Sequence, residues 1–190
     1  MSMLGGATVA AKTRHWLSIN RAPVLTLWAA VVAERLGFDR DEALTLGRAV
    51  AGLNAYSKGK ALGLFSPTPT KVKQERAKCK PKEAISVDLL HRAVPALHTE
   101  DGLRALSKNR PIDPTSVERY LAGKFGEALD DTRQAMRKLA RSRSPSRLAA
   151  EAYELYEDFR PQIPSGTKGW GAKGRLSLDK IHEMSTDAGR

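Results

Sequence analysis

SVDLLHRAVPALHTEDGLRAL, residues 86–106, decides the fold class, because it lies between two strongly helical regions and settles whether the chain holds anything else. Ser86 to Val94 reads as a helix, and Pro95 ends it or opens the next turn. Thr99, with Glu100 and Asp101 behind it, opens a short helix through Leu106. No segment shows sustained period-two alternation of β-branched residues, so no sheet is expected. The expected fold class is all-α, a compact bundle of about five to six helices.

Upstream, Pro23 suits a first helical turn, and Val24, Leu27, Trp28, Val31, Val32 and Leu36 follow at three- and four-residue spacing, one buried stripe. Gly37 supplies a left-handed stop, and Asp39 with Glu42 makes an Asp-led capping box for a second helix from about Arg40 to Asn54. The pair predicts a helical hairpin or a helix-turn-helix. In the latter, Thr45 and Arg48 are the side chains offered to base edges, behind an acidic leading end, Asp41-Glu42.

Downstream, Asp113-Pro114 starts a long helix to about residue 141, weakened at Gly123 and Gly126 unless these mark a close crossing. Ser144-Pro145 starts another, stopped by Pro161 and Pro164. The tail is a glycine-rich loop, followed by a helical turn or two from Ser177. The expected organisation is an N-terminal hairpin unit (1–66), a basic linker (67–82), a C-terminal helical unit (83–160) and a glycine-rich tail (161–190).

The chain of 190 residues carries 32 Lys and Arg against 21 Asp and Glu, for a net +11. The linker PTPTKVKQERAKCKPK supplies +5 of that, so the surplus is concentrated in connecting segments rather than in helices. One cysteine, Cys79, excludes an internal disulfide framework, and the longest apolar run, Val24 to Ala33, is too short to span a bilayer. The N-terminal residues place charge after small residues, the wrong order for a secretory signal, so a cytoplasmic location and no membrane contact are expected.

Three clusters of cations are candidate anion contacts. The linker offers Lys71, Lys73, Arg76, Lys78, Lys80 and Lys82. Arg133, Arg137 and Arg141 repeat every four residues along one helix flank, with Glu127, Asp130 and Asp131 near enough to pair with them. The loop GTKGWGAKGRL brings Lys168, Lys173 and Arg175 around Trp170. With Arg48, these make nucleic acid the expected partner, held by its phosphates with little base readout and no catalysis. The alternative is a helical interaction module or oligomeric scaffold, in which Trp28 meets a partner or a second copy in a homodimer. A small-anion or nucleotide enzyme using the tail loop is a third class.

No catalytic, metal or cofactor site is expected. Ser57-Lys58-Gly59-Lys60 matches S-x-x-K by letter but lacks its companion motifs. Cys79, in a linker, has no fixed base, and Pro95 breaks any helical register between His91 and His98.

Overall fold

The computed structural model describes residues 16–63, 69–78, 81–167 and 171–187. Pro23 and the apolar run behind it form helix α1 (Arg21–Arg35). Every residue from Pro23 to Ala33 is buried, so α1 is wrapped on all sides rather than along one stripe. Gly37, at φ 110°, turns the chain, and Asp39 and Glu42 close the expected capping box. Helix α2 (Arg40–Ala61) then returns against α1. The crossing is tightest at Gly47, where a Cβ would stand 2.4 Å from the Thr26 carbonyl oxygen and 2.8 Å from the Ala30 nitrogen. The second helix runs on past its expected end at Asn54, through Ser57-Lys58-Gly59-Lys60.

The expectation of an all-α bundle is overturned in residues 83–113. They form an antiparallel meander of β2 (Ile85–Leu89), β3 (Arg92–Thr99), β4 (Gly102–Ser107) and β5 (Arg110–Pro111), in that spatial order. A second, two-stranded sheet pairs β1 (Trp16–Ile19) with β6 (Gly174–Ser177), Leu17 opposite Leu176. The fold is therefore mixed α/β, with two antiparallel sheets among the described residues.

The physical reason lies in the turns. Leu90 and His91 (φ 48° and 56°) join β2 to β3, and Lys108 and Asn109 (φ 50° and 63°) join β4 to β5, all in the left-handed region. Such two-residue hairpin turns normally announce themselves as Asn-Gly or Asp-Gly. The Thr99 hydroxyl accepts the Asp101 N–H and donates to the Gly102 carbonyl, closing a tight turn where a helix cap was expected. In β3 the alternation is real but faint: Val94 and Ala96 are buried, while Ala93, Pro95 and Leu97 on the other face are not.

Helix α3 (Thr70–Lys78) arises within the expected linker. Asp113 and Ser144 cap α4 (Pro114–Phe125) and α6 (Pro145–Phe159) as their sequences predict. The expected long helix over 114–141 is broken: Gly126, at φ 56°, separates α4 from α5 (Leu129–Arg141) through a single 3-10 turn. Ser177 caps α7 (Leu178–Thr186).

One cluster of buried side chains draws on the hairpin, the four-stranded sheet and the C-terminal helices together. Trp28 lies fully inside it, donating its indole N–H to the Ala152 carbonyl at 2.7 Å and meeting Phe159 edge-on. It is core, not a partner surface. No helix among the described residues is long and apolar enough to cross a membrane.

The helix crossing yields a paired prediction. Gly47→Ala forces a methyl into the α1 backbone and lowers stability by about 1–3 kcal/mol or more. Gly52→Ala, on the same helix with nothing within 4 Å, raises it by about 0.5–1 kcal/mol. Urea unfolding of the two variants measures both; equal effects would disprove the close crossing.

Candidate functional site

The cations expected to contact phosphates meet different fates. Helices α1 and α2 do form the predicted pair, and Arg40 and Asp41 at the leading end of α2 are exposed, but Thr45 is buried. Beyond the two-residue β5, β4 leaves amides unpaired by any strand. Glu42 accepts the Leu103 N–H at 2.9 Å, and the buried Thr45 hydroxyl accepts the Ala105 N–H at 3.0 Å. Glu42 and Thr45 thus close a sheet edge, and Thr45 is not offered to base edges. Arg48 stacks on the Tyr120 ring at 4.2 Å. Arg133, its side chain 10% exposed, binds both Glu118 oxygens at 2.8 and 2.9 Å, and Arg137 binds Glu34 at 2.9 Å. Arg141 is exposed, with no hydrogen bond or ion pair to any described residue.

Lys71, Lys73, Lys78 and Lys82 are exposed, and none has a carboxylate partner among the described residues. Lys173 is exposed as well, and Arg175 sits over Trp16 at 5.0 Å. Lys80, Lys168, Trp170, Cys79 and the side chain of Arg76 lie outside the described residues.

A different set of residues converges. Between the start of α1, the second half of α2 and the last turns of α6 lies a cavity of about 420 Å³. Its α2 wall is Ala51, Ala55, Lys58 and Leu62, one stripe at four-, three- and four-residue spacing, with Asn54 beside it. Leu25, Ile163 and Ala172 add further apolar surface, and Arg21 and Tyr156 add polar groups.

Asn54 is the informative member. Its side chain is buried (6% exposed), and its Oδ1 accepts from the Arg92 guanidinium at 2.9 Å. That fixes the amide orientation, because Arg92 can only donate. The Nδ2 donor has no hydrogen-bond partner among the described residues and is not sealed from solvent, in a residue that lines the cavity.

The charge around it is largely positive. Arg21 occupies the first turn of α1, which holds no acid and receives no cap from the Asn20 side chain, since Asn20 donates instead to the Gly171 carbonyl. Arg21 donates to the Pro161 carbonyl at 3.1 Å and has no carboxylate partner. Partial burial holds the Lys58 ammonium below its ordinary range; the guanidiniums of Arg160, Arg21 and Arg92 add to this, and Glu157 opposes it. Glu157 lies 3.9 Å from Lys58, too far for a hydrogen bond, and is held at 2.7 Å by Arg160. Burial likewise raises Tyr156 above the usual phenol range, so it stays a neutral hydroxyl, donating to the Arg21 carbonyl at 3.3 Å.

The arrangement can therefore bind a negative charge through Lys58, Arg21 and the Asn54 amide while enclosing an apolar body. It supplies no metal set: among the described residues no three His, Cys, Asp or Glu side chains come together. Sequence reasoning missed these residues because the α2 stripe continues through SKGK, whose glycine reads as a stop, and because Asn20, Asn54 and Tyr156 are distant in sequence. No protein-family model, curated protein or solved structure matches the chain.

Proposed function

We propose that the protein is a receptor for a small organic anion, a carboxylate carried on an apolar body, seated in the cavity at the start of α1. The observation that carries this reading is the convergence of Lys58, Arg21 and the Asn54 amide, whose Oδ1 is already taken by Arg92, on one largely apolar cavity. Lys58 and Arg21 supply the countercharge, and the start of a fifteen-residue helix adds a partial positive charge. A carboxylate satisfies all three; a neutral ligand leaves the charges uncompensated.

Isothermal titration with small aliphatic and aromatic carboxylates, each against its primary amide, tests this. The acids bind, and the amides bind about tenfold weaker or worse, as loss of charge-assisted hydrogen bonds requires. Asn54→Asp retains the acceptor for Arg92 but puts a negative charge in place of the donor, so it abolishes carboxylate binding while the protein stays folded. Equal binding of acid and amide, or unchanged binding by Asn54→Asp, would refute the proposal. The pH dependence has a definite sign. Lys58 loses its proton below the ordinary 10.5, so carboxylate affinity falls with rising pH starting below that value. In Lys58→Gln the affinity is weaker and that alkaline fall disappears.

A second reading rests on the lysines of α3. Lys71, Lys73 and Lys78 are exposed and unpaired among the described residues, and such side chains are free to displace counterions from a nucleic acid. On this reading, retention on duplex of arbitrary sequence falls steeply between about 50 and 200 mM salt. The triple Lys→Gln variant loses it, whereas Arg133→Gln leaves it intact because Glu118 already occupies that guanidinium. Salt-independent retention would remove this reading without touching the first.

A further inference from the structure

We infer that a second cavity, at the far end of α1, is a binding site for a phosphate-sized oxyanion, either inorganic phosphate or the headgroup of a phosphomonoester. The cavity measures about 200 Å³ and is lined by Val31, Glu34 and Arg35 of α1 and by Arg137, Ala140 and Arg141 of α5. It differs from the first in kind: three guanidiniums face one carboxylate across a small space with only two apolar residues.

The cation arithmetic leaves a surplus. Glu34 spends its carboxylate on Arg137, at 2.9 Å. Arg35 reaches only the Arg143 carbonyl, at 3.2 Å, and its Nε is buried without a hydrogen-bond partner. Arg141 contacts no acceptor among the described residues. Cations do gather near helix C-termini, where carbonyls carry partial negative charge, and Arg35 and Arg141 are the last residues of α1 and α5. That effect explains their presence there, but not a buried guanidinium nitrogen without an acceptor beside an unpaired arginine. A tetrahedral oxyanion offers acceptors in several directions, and planar guanidinium forks match it better than any other side chain. The spacing that put Arg137 and Arg141 on one flank thus defines half of a small pocket, with α1 supplying the rest.

This site is independent of the carboxylate reading, and its test keeps the two apart. Titrate inorganic phosphate and methyl phosphate into the full chain at constant ionic strength made up with sodium chloride, following heat and the unfolding temperature. Saturable binding of either probe is expected, and the tighter of the two identifies the source of the headgroup. Arg141→Gln, at an exposed position, folds normally and weakens binding at least tenfold. Glu34→Gln frees Arg137 and tightens binding, a gain that a purely structural ion pair would not give. Asn54→Asp leaves phosphate affinity unchanged. A phosphate effect no larger than that of chloride at the same ionic strength, or undiminished binding by Arg141→Gln, would overturn the assignment.

Discussion

The contact between Gly47 and the backbone of α1 at Thr26 and Ala30 constrains the rest of the molecule. At that separation no side chain fits between the helices, so α1 and α2 meet backbone to backbone at that point. Helix α1 is then covered elsewhere, by α5, α6 and α4, and its eleven consecutive buried residues follow. Its few polar groups are satisfied inside: Thr26 donates to the Ala22 carbonyl, and Trp28 to Ala152. With one side of α2 committed to α1, its remaining surface divides by position. The first half closes the open edge of β4 through Glu42 and Thr45. The second half, from Ala51 on, is tied to β3 only through Arg92, which donates to Asn54 and Ser57, and lines the cavity. The site is thus a consequence of where the hairpin stops being needed for packing.

What was legible in the sequence is what local chemistry specifies. Asp39 with Glu42, Asp113 with Pro114, Ser144 with Pro145 and Ser177 each cap the helix that their spacing implies, because a cap is an interaction within a few residues. The strands escaped because their determinants are not local. The pair β1 and β6 joins residues 16–19 to 174–177, which no window of sequence compares. β4 is buried on both faces, from Leu103 to Leu106, so it shows no alternation at all. The hairpin turns place Leu90 and Lys108 at positive φ, where glycine or asparagine would have flagged them, and tertiary packing absorbs that strain.

The same distinction governs the sites. The four-residue repeat of Arg133, Arg137 and Arg141 is legible as a flank, and the acids a turn away look like the natural partners. Only Asp130 approaches, at 4.0 Å, while the strong partners are Glu118 and Glu34, on other helices. A guanidinium's usefulness to a ligand depends on which acceptor reaches it first, and that is a property of the tertiary fold. Arg141, at the end of the same row, keeps its charge unmatched among the described residues because Glu34, the only acid on α1, is already held by Arg137.

The two cavities stand at opposite ends of one buried helix, and that explains why they are built so differently. Fifteen residues at 1.5 Å each separate them by roughly 20 Å. At the start of α1 the helix dipole favours an anion by about 0.3–1 kcal/mol, so two cations, both held below their ordinary basicity by burial, and one amide suffice, and the walls can be apolar. At its end the dipole has the opposite sign, and the partial negative charge of the terminal carbonyls must be overcome before any oxyanion can bind. Three arginines against one glutamate do that, leaving a net positive cavity. Because α1 is enclosed on every side, it cannot slide to relay occupancy from one end to the other, and the two ends act as separate sites on a rigid rod.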